Sequence, residues 1–218
     1  MKIRIFTAVA LLILLTTINS KEHFVISKFN LKEVTVENNF LLKDKDIKNL
    51  LVPIYNRNLL FLKNIEVEKA LTQNSFIESF NIKKKYPNTL KIQVFEKKPI
   101  AVLFNQKKKF YLSDKIELIE YKYLPNYQNL PEVIGNKYDF KIFYKNLKKI
   151  NFPVNIIKKY TLYEAKRWDL EIINNKVIKL PSENYNKSLE SFLSLKNKNS
   201  FEIYKLFDYR INNQLILK

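Results

Sequence analysis

The chain has 218 residues, 46% of them hydrophobic, enough apolar material for one domain or two small ones with real cores. Its 39 Lys and Arg against 21 Asp and Glu leave a net charge of +18, which invites a nucleic-acid or membrane-surface reading. However, Lys is spread along the whole chain, and joint richness in Lys, Asn, Ile, Phe and Tyr beside a single Gly is what A+T-biased codons produce. Absence of Cys excludes disulfides, a thiol nucleophile and thiolate metal ligands.

In chain order, the basic start Lys2 to Arg4 precedes an apolar run from Ile5 to Leu15 that fades through Thr16, Thr17 and Ile18. A comfortable membrane span wants about 20 residues, and a signal-peptide apolar region is about 7–15, so both readings are open. Ile18-Asn19-Ser20 is a poor cleavage site, and Lys2 and Lys21 can snorkel, so an uncleaved anchor over residues 1–20 is favoured. Either way the basic start stays in the cytoplasm and the remainder is exported. Residues 21–28 form a connector carrying the lone His23, read as a solvated, inert side chain.

Leu31 to Glu37 alternates, with Val34 and Val36 on one face, and predicts a strand closing at Asn38-Asn39. Asp44 is placed as the N-cap of a helix bearing Ile47, Leu50 and Leu51 that stops near Pro53. Asn64 is placed as the cap of a second helix with Val67, Ala70 and Leu71 at helical spacing. Strands follow at about 79–85 and 89–95, the second with Leu90, Ile92 and Val94 inward and bracketed by Pro87 and Pro99. Two helices on one face of such a three-stranded sheet bury both apolar faces.

Beyond Pro99 the pattern predicts short strands at 100–104, 109–112 and 116–119, with Ser113-Asp114-Lys115 as a turn. Lysine clusters at 83–85 and 107–109 read as solvated edges and turns. Gly135 is expected where the backbone needs positive φ. Phe140, Phe143, Leu147 and Ile150 predict a helix ended by Pro153, and 160–165, 167–173 and 176–180 a meander turning at Asn174-Asn175. Ser182 is placed as the cap of a helix with Tyr185, Leu189, Phe192 and Leu193. The end reads as strand: Phe201, Ile203, Phe207, Tyr209 and Ile211 share one parity, and Leu215 to Leu217 resumes after Asn212-Asn213.

The catalytic inventory is nearly empty. One His builds no metal pair, and one Gly supplies no P-loop, dinucleotide turn or nucleophile elbow. Carboxylate pairs such as Glu117 with Glu120 are ordinary surface. No catalytic, metal or cofactor residue is assigned. What remains is recognition: a terminal strand at a sheet edge offers unpaired N–H and C=O groups to a partner, whereas an interior strand does not.

Several pieces, in order from about residue 29 to 218, resemble the FtsQ/DivIB cell-division family. Phe29 to Val36 resembles the first strand of its POTRA domain, with Asn38-Asn39 where Gly is usual, and Asn58 to Leu62 is similar to its G-x-N-L-F-x-L segment. Leu71 to Phe80 resembles a further stretch, and the clearest match is Tyr86 to Ala101, including Pro87, Leu90, Glu96 and Pro99. Tyr111 to Asp114 is similar to its V-D-x-x-G hairpin, with Glu117 set at the Gly. Leu130 to Gly135 resembles L-P-x-L-x-G. Arg167-Trp168-Asp169-Leu170 through Pro181 resembles R-W-D-L-x-L-x-x-G-x-x-V-x-L-P, and Phe207-Asp208-Tyr209-Arg210 resembles V-D-L-R.

The resemblance implies an α+β chain: an anchor at 1–20, a connector at 21–28, a POTRA (βααββ) domain at 29–97, and a β-rich domain with two helices at 98–218. It implies a non-enzymatic, single-pass inner-membrane protein of the division septum that binds FtsB, FtsL and other divisome membrane proteins, with no nucleic acid, small-molecule substrate or cofactor. The partner edge carried over is Ile203, Phe207, Tyr209, Ile211, Leu215 and Leu217, with Asp208 and Arg210 fixing turn and register. The alternative keeps the POTRA fold as a module handling exported polypeptides in secretion or outer-membrane assembly.

Overall fold

The computed structural model describes residues 2–16, 27–105, 108–196, 199–211 and 214–218. His23, Lys107 and the Asn212-Asn213 turn lie outside the described residues. The chain divides into two compact units, Met1–Glu96 and Lys97–Lys218.

The first unit opens with α1 (Lys2–Thr16), 15 residues long. No helix among the described residues is long and apolar enough to cross a membrane. The rest follows the β-α-α-β-β order: β1 (Glu33–Glu37), α2 (Asp44–Leu50), α3 (Asn64–Leu71), β2 (Ile77–Lys85) and β3 (Thr89–Glu96). β3 is the central strand, parallel to β1 and antiparallel to β2. Register sets Val34 beside Leu90 and Ile82 beside Ile92, so one face of the sheet is continuously apolar. Leu90, Ile92 and Val94 are fully buried with Ile47, Leu51, Val67 and Leu71 from the helical layer. Each such side chain contributes roughly 1.5–3 kcal/mol, an upper figure because the unfolded chain is already partly collapsed.

Both helix starts differ from expectation by one residue. Lys43 and Lys63 occupy the N-cap positions, and Asp44 and Asn64 are the first helical residues. Charge takes the place of a side-chain cap. Asp44 and Asp46 sit in the first turn of α2, where the helix dipole favours them. Glu66 reaches back to accept from the Lys63 N–H at 3.3 Å. β1 begins at Glu33 rather than Leu31, because the Leu31 N–H is taken by Arg57 O at 2.9 Å.

The second unit contains β4 (Pro99–Asn105), β5 (Lys108–Ser113), β6 (Leu118–Glu120), β7 (Glu132–Ile134), α4 (Lys137–Lys149), β8 (Ile157–Leu162), β9 (Trp168–Ile172), β10 (Lys176–Lys179), α5 (Tyr185–Lys196), β11 (Leu206–Asp208) and β12 (Ile216–Leu217). They form a nine-stranded sheet in the order β12-β11-β10-β9-β8-β7-β4-β5-β6. Each helix bridges a parallel pair, α4 between β7 and β8 and α5 between β10 and β11, which is the connection parallel neighbours require. Asn136 caps α4, its Oδ1 accepting from Asp139 N at 2.9 Å. The core is aromatic: Phe143 stacks on Trp168 at 4.8 Å, Tyr160 meets Phe140 edge-on at 5.1 Å, and Phe207 packs on Phe192 at 5.0 Å.

Three expectations are corrected here. α5 starts at Tyr185, three residues past Ser182. The strand placed at 116–119 is Leu118–Glu120, and the positive φ of the preceding turn falls on Ile116 (φ 59), not on Glu117. Glu117 instead carries an ion pair with Lys97 at 2.8 Å. Finally, the uniform terminal strand does not exist. Residues Asn199–Ile203 are a 3-10 turn, and only Leu206–Asp208 and Ile216–Leu217 are strand.

Gly135 has φ +154, and a Cβ there would stand 2.9 Å from Leu162 Cβ. Both backbone and space require glycine.

Candidate partner-binding edge

The last strands are shaped by Lys176, which sequence reasoning passed over. It is 1% exposed, and its ammonium donates to Phe201 O (3.2 Å), Glu202 O (3.2 Å) and Tyr204 O (2.8 Å). The ammonium also lies 4.8 Å from the Phe201 ring centroid. Three carbonyls of an irregular segment are thereby satisfied in the interior. The segment is held in a turn, and its exit carbonyl, Lys205 O, accepts from Val177 N at 2.7 Å to start the parallel β10–β11 pairing. The available signal was parity: Lys176 and Ile178 share the inward face of a strand whose neighbours are apolar.

β11 is flanked on both sides, by β10 and β12, so among the described residues the edge at this end of the sheet is β12, with β6 at the other. Lys218 exchanges both backbone bonds with Leu206, accepting from Leu206 N at 2.9 Å and donating to Leu206 O at 3.2 Å. By the alternation of an antiparallel ladder, the backbone groups of Leu217 point to the open side. Of the six residues carried over to the partner edge, Phe207 and Tyr209 are buried in the core. Ile203, in the 3-10 turn, is 74% exposed and Ile211 53%. Leu215 and Leu217 are half-buried against the core.

Beside this edge runs an open groove of about 490 Å³ between the start of α5 and the chain end, lined among others by Asn184, Lys187, Ser191, Tyr209, Ile211 and Leu215. Burial pushes the Tyr209 phenol above its ordinary range, with the Ser191 hydroxyl opposing.

Register brings two distant motifs onto one rung. Lys179 of β10 pairs with Asp169 of β9 on one side and Asp208 of β11 on the other. Arg210 grips Asp208 through Nε (2.8 and 3.0 Å) and Nη2 (2.6 Å), and its own N–H donates to Asp208 Oδ1 at 3.1 Å. Arg167 Nε donates to Asp169 Oδ1 at 3.2 Å. The two carboxyls are shifted oppositely. Bonds from Arg210 hold Asp208 below the usual carboxylate range, whereas burial raises Asp169 despite Arg167, Lys179 and Arg210. Arg167 also lies 4.5 Å from the Tyr163 ring centroid. Trp168, next to it, points the other way into the core.

The other motif residues lie away from this rung. Pro87 is in the β2–β3 turn, Leu90 in the core of the first unit, and Pro99 buried opposite Ser113 at the start of β4. Glu96 ends β3 with its carboxylate accepting from Phe40 N (3.0 Å), Leu41 N (2.7 Å) and Leu42 N (2.8 Å). Among the described residues no group of three or more His, Cys, Asp or Glu side chains could hold a metal ion. The arrangement offers contact surface and open backbone.

Residues 29–97 match the family model of the POTRA domain, FtsQ-type. Over 195 residues the chain is 26% identical to the cell division protein FtsQ of Rickettsia felis, covering 87% of this chain and 72% of that one. It is 25% identical over 214 residues to FtsQ of Blochmanniella floridana, covering 88% and 74%. The solved major extracytoplasmic domain of the trans isomer of DivIB from Geobacillus stearothermophilus aligns at 13% identity over 48% of this chain and 99% of that one. Its TM-score is 0.33, too distant to bear on the assignment. The βααββ unit is thus a POTRA domain, followed in the same chain by a β-rich region with two helices. Over most of its length the chain is similar to FtsQ cell-division proteins, and residues 29–97 carry the FtsQ-type POTRA domain.

Proposed function

We propose that this protein is a non-enzymatic divisome scaffold of the inner membrane at the division septum, and that it recruits FtsB and FtsL by strand addition to β12. The single observation that carries the reading is the bare outer side of β12, with the Leu217 backbone unpaired by the ladder and an open groove beside it. An extended partner segment gains main-chain bonds there, and the half-buried Leu215 with the exposed Ile211 supplies adjoining apolar contact. In this role Asp208 and Arg210 fix the turn after β11, and α1 with the residues after it serves as a single-pass anchor, leaving the POTRA domain and the β-rich unit outside the cytoplasm. The domains of this reading are the anchor at 1–20, the connector at 21–28, POTRA at 29–97 and the β-domain at 98–218.

The test is Leu217→Pro. Proline removes the outward N–H yet leaves the Lys218–Leu206 bonds, and is tolerated at an edge whose N–H faces solvent. Capture of FtsB in a pull-down from membranes is expected to be lost while the thermal transition of the β-rich unit is kept. Full capture by Leu217→Pro would exclude the site. Capture of only secreted or outer-membrane proteins by the wild-type chain would favour the exported-polypeptide module.

A further inference from the structure

One end of the POTRA domain is assembled from three loops. Leu59 N donates to Phe29 O at 2.8 Å and Asn56 N to Leu31 O at 3.0 Å, tying 56–62 to the incoming chain. Lys32 N donates to Asn88 O at 2.9 Å, and Phe29 meets Tyr86 edge-on at 6.1 Å, tying in the β2–β3 turn. This end exposes four large apolar side chains: Leu60 (46%), Phe61 (73%), Ile65 (49%) and Tyr86 (56%). Lys28, Lys32, Lys63 and Lys85, all exposed, belong to the same three loops and their margins. Of the nearby acids, Glu66 is engaged by Arg57 and Glu33 lies within β1.

From these observations we infer that this end is a membrane-contacting tip: Leu60, Phe61 and Ile65 dip into the headgroup boundary, Tyr86 sits at headgroup level, and the lysines face anionic phospholipid. The inference rests on the anchoring reading above. The incoming chain says what covers the patch. Ten residues, 17–26, separate α1 from Ser27, which at full extension allows about 40 Å between the anchor and this end. The opposite end of β3, where Phe40 is 83% exposed, is about 23 Å farther along the strand. Exposed apolar area is costly in water, and an aromatic and aliphatic wedge with a basic rim is the combination that favours an anionic bilayer surface. A second attachment beside the anchor would orient the domain against the membrane plane, with Phe40 pointing away.

The chain has no Cys, so one introduced thiol is a unique labelling site. Full-length protein carrying Ile65→Cys or Phe40→Cys is labelled with an environment-sensitive fluorophore and reconstituted into phosphatidylethanolamine–phosphatidylglycerol vesicles containing a spin-labelled quencher lipid. A blue-shifted label at 65, quenched several-fold more than the label at 40, is expected. Adding Leu60→Ser and Phe61→Ser, both exposed and so without a core role, is expected to abolish that quenching. A chain that resists alkaline extraction while its label at 65 stays as water-exposed as that at 40 overturns the tip. So does quenching unchanged by the two serines, or quenching equal in vesicles of neutral lipid alone. Loss of the chain itself on alkaline extraction would instead sink the anchoring reading, and the tip with it.

Discussion

Each unit contains one ionised side chain that gathers three backbone groups of an irregular segment, and the two differ in sign and depth. In the POTRA domain the Glu96 carboxylate, only partly buried, accepts from the N–H groups of residues 40–42. In the β-rich unit the Lys176 ammonium, 1% exposed, donates to the carbonyls of residues 201, 202 and 204. Both extend from a regular strand and shape a neighbour with no period of its own. The difference in depth is the lesson. Water can replace an exposed clamp but not a buried one, so the same hydrogen-bond count carries unequal stability.

The largest expected effect is therefore Lys176→Met. Leaving interior carbonyls without a donor should destabilise the β-rich unit by about 3 kcal/mol, and amide exchange from 204 to 218 should accelerate more than elsewhere in that unit. Denaturant unfolding and hydrogen exchange measure both; a loss below that of the exposed clamp would reverse the comparison. Next comes Glu96→Ala, expected to cost about 2 kcal/mol confined to the POTRA domain, with exchange rising at Phe40 to Leu42. Gly135→Ala should cost about 1–3 kcal/mol through φ +154 and the 2.9 Å approach to Leu162, read as a lowered midpoint of the same transition as Lys176→Met.

The smallest effect concerns pH. Arg210 lowers the folded-state pKa of Asp208, so the stability it lends is full above about pH 4, the unfolded value, and is lost as pH falls through the lower folded value. Burial raises Asp169, so its ionisation opposes folding above its folded value, and that penalty is relieved on acidification. Side-chain carboxyl NMR should find the two midpoints on opposite sides of the ordinary value, and Arg210→Ala should move Asp208 up toward it.

Much of the architecture was legible in local pattern. Strict alternation of Leu90, Ile92 and Val94 announced β3, and Phe140, Phe143 and Leu147 announced α4. Missing glycines did not mislead either, for a reason the backbone supplies. Asn38, Asn56 and Asn175 take φ 64, 62 and 55, the left-handed region that Asn reaches at small cost. Glycine remains at 135, where φ +154 lies beyond what Asn adopts easily. Ile116 at φ 59 and Lys166 at φ 56 depart from that pattern, and Ile116 is a β-branched residue held in the left-handed region, at a turn that Ser113 Oγ closes by accepting from Lys115 N and Glu117 N.

The chain end was legible only in part. Its alternation suited a strand from 201 to 211, but parity registers inward and outward, not which groups are available to pair. A buried ammonium takes the carbonyls of 201, 202 and 204, residues 199–203 are a 3-10 segment, and β11 is left with three residues and β12 with two. The rung of Asp169, Lys179 and Asp208 was equally invisible, being made by register between residues up to 39 positions apart (208 − 169).

The sequence by itself determined the order of elements, the aliphatic sheet of the POTRA domain and the resemblance to FtsQ/DivIB, because these rest on side-chain period and turn chemistry between near neighbours. Tertiary structure alone decided that β12 rather than β11 is the edge at that end of the sheet, that Phe207 and Tyr209 are core, and that three loops carrying exposed Leu60, Phe61 and Tyr86 at their tips and margins are tied together at one end of the POTRA domain. Those outcomes depend on which distant backbone groups find partners, and no local pattern encodes that.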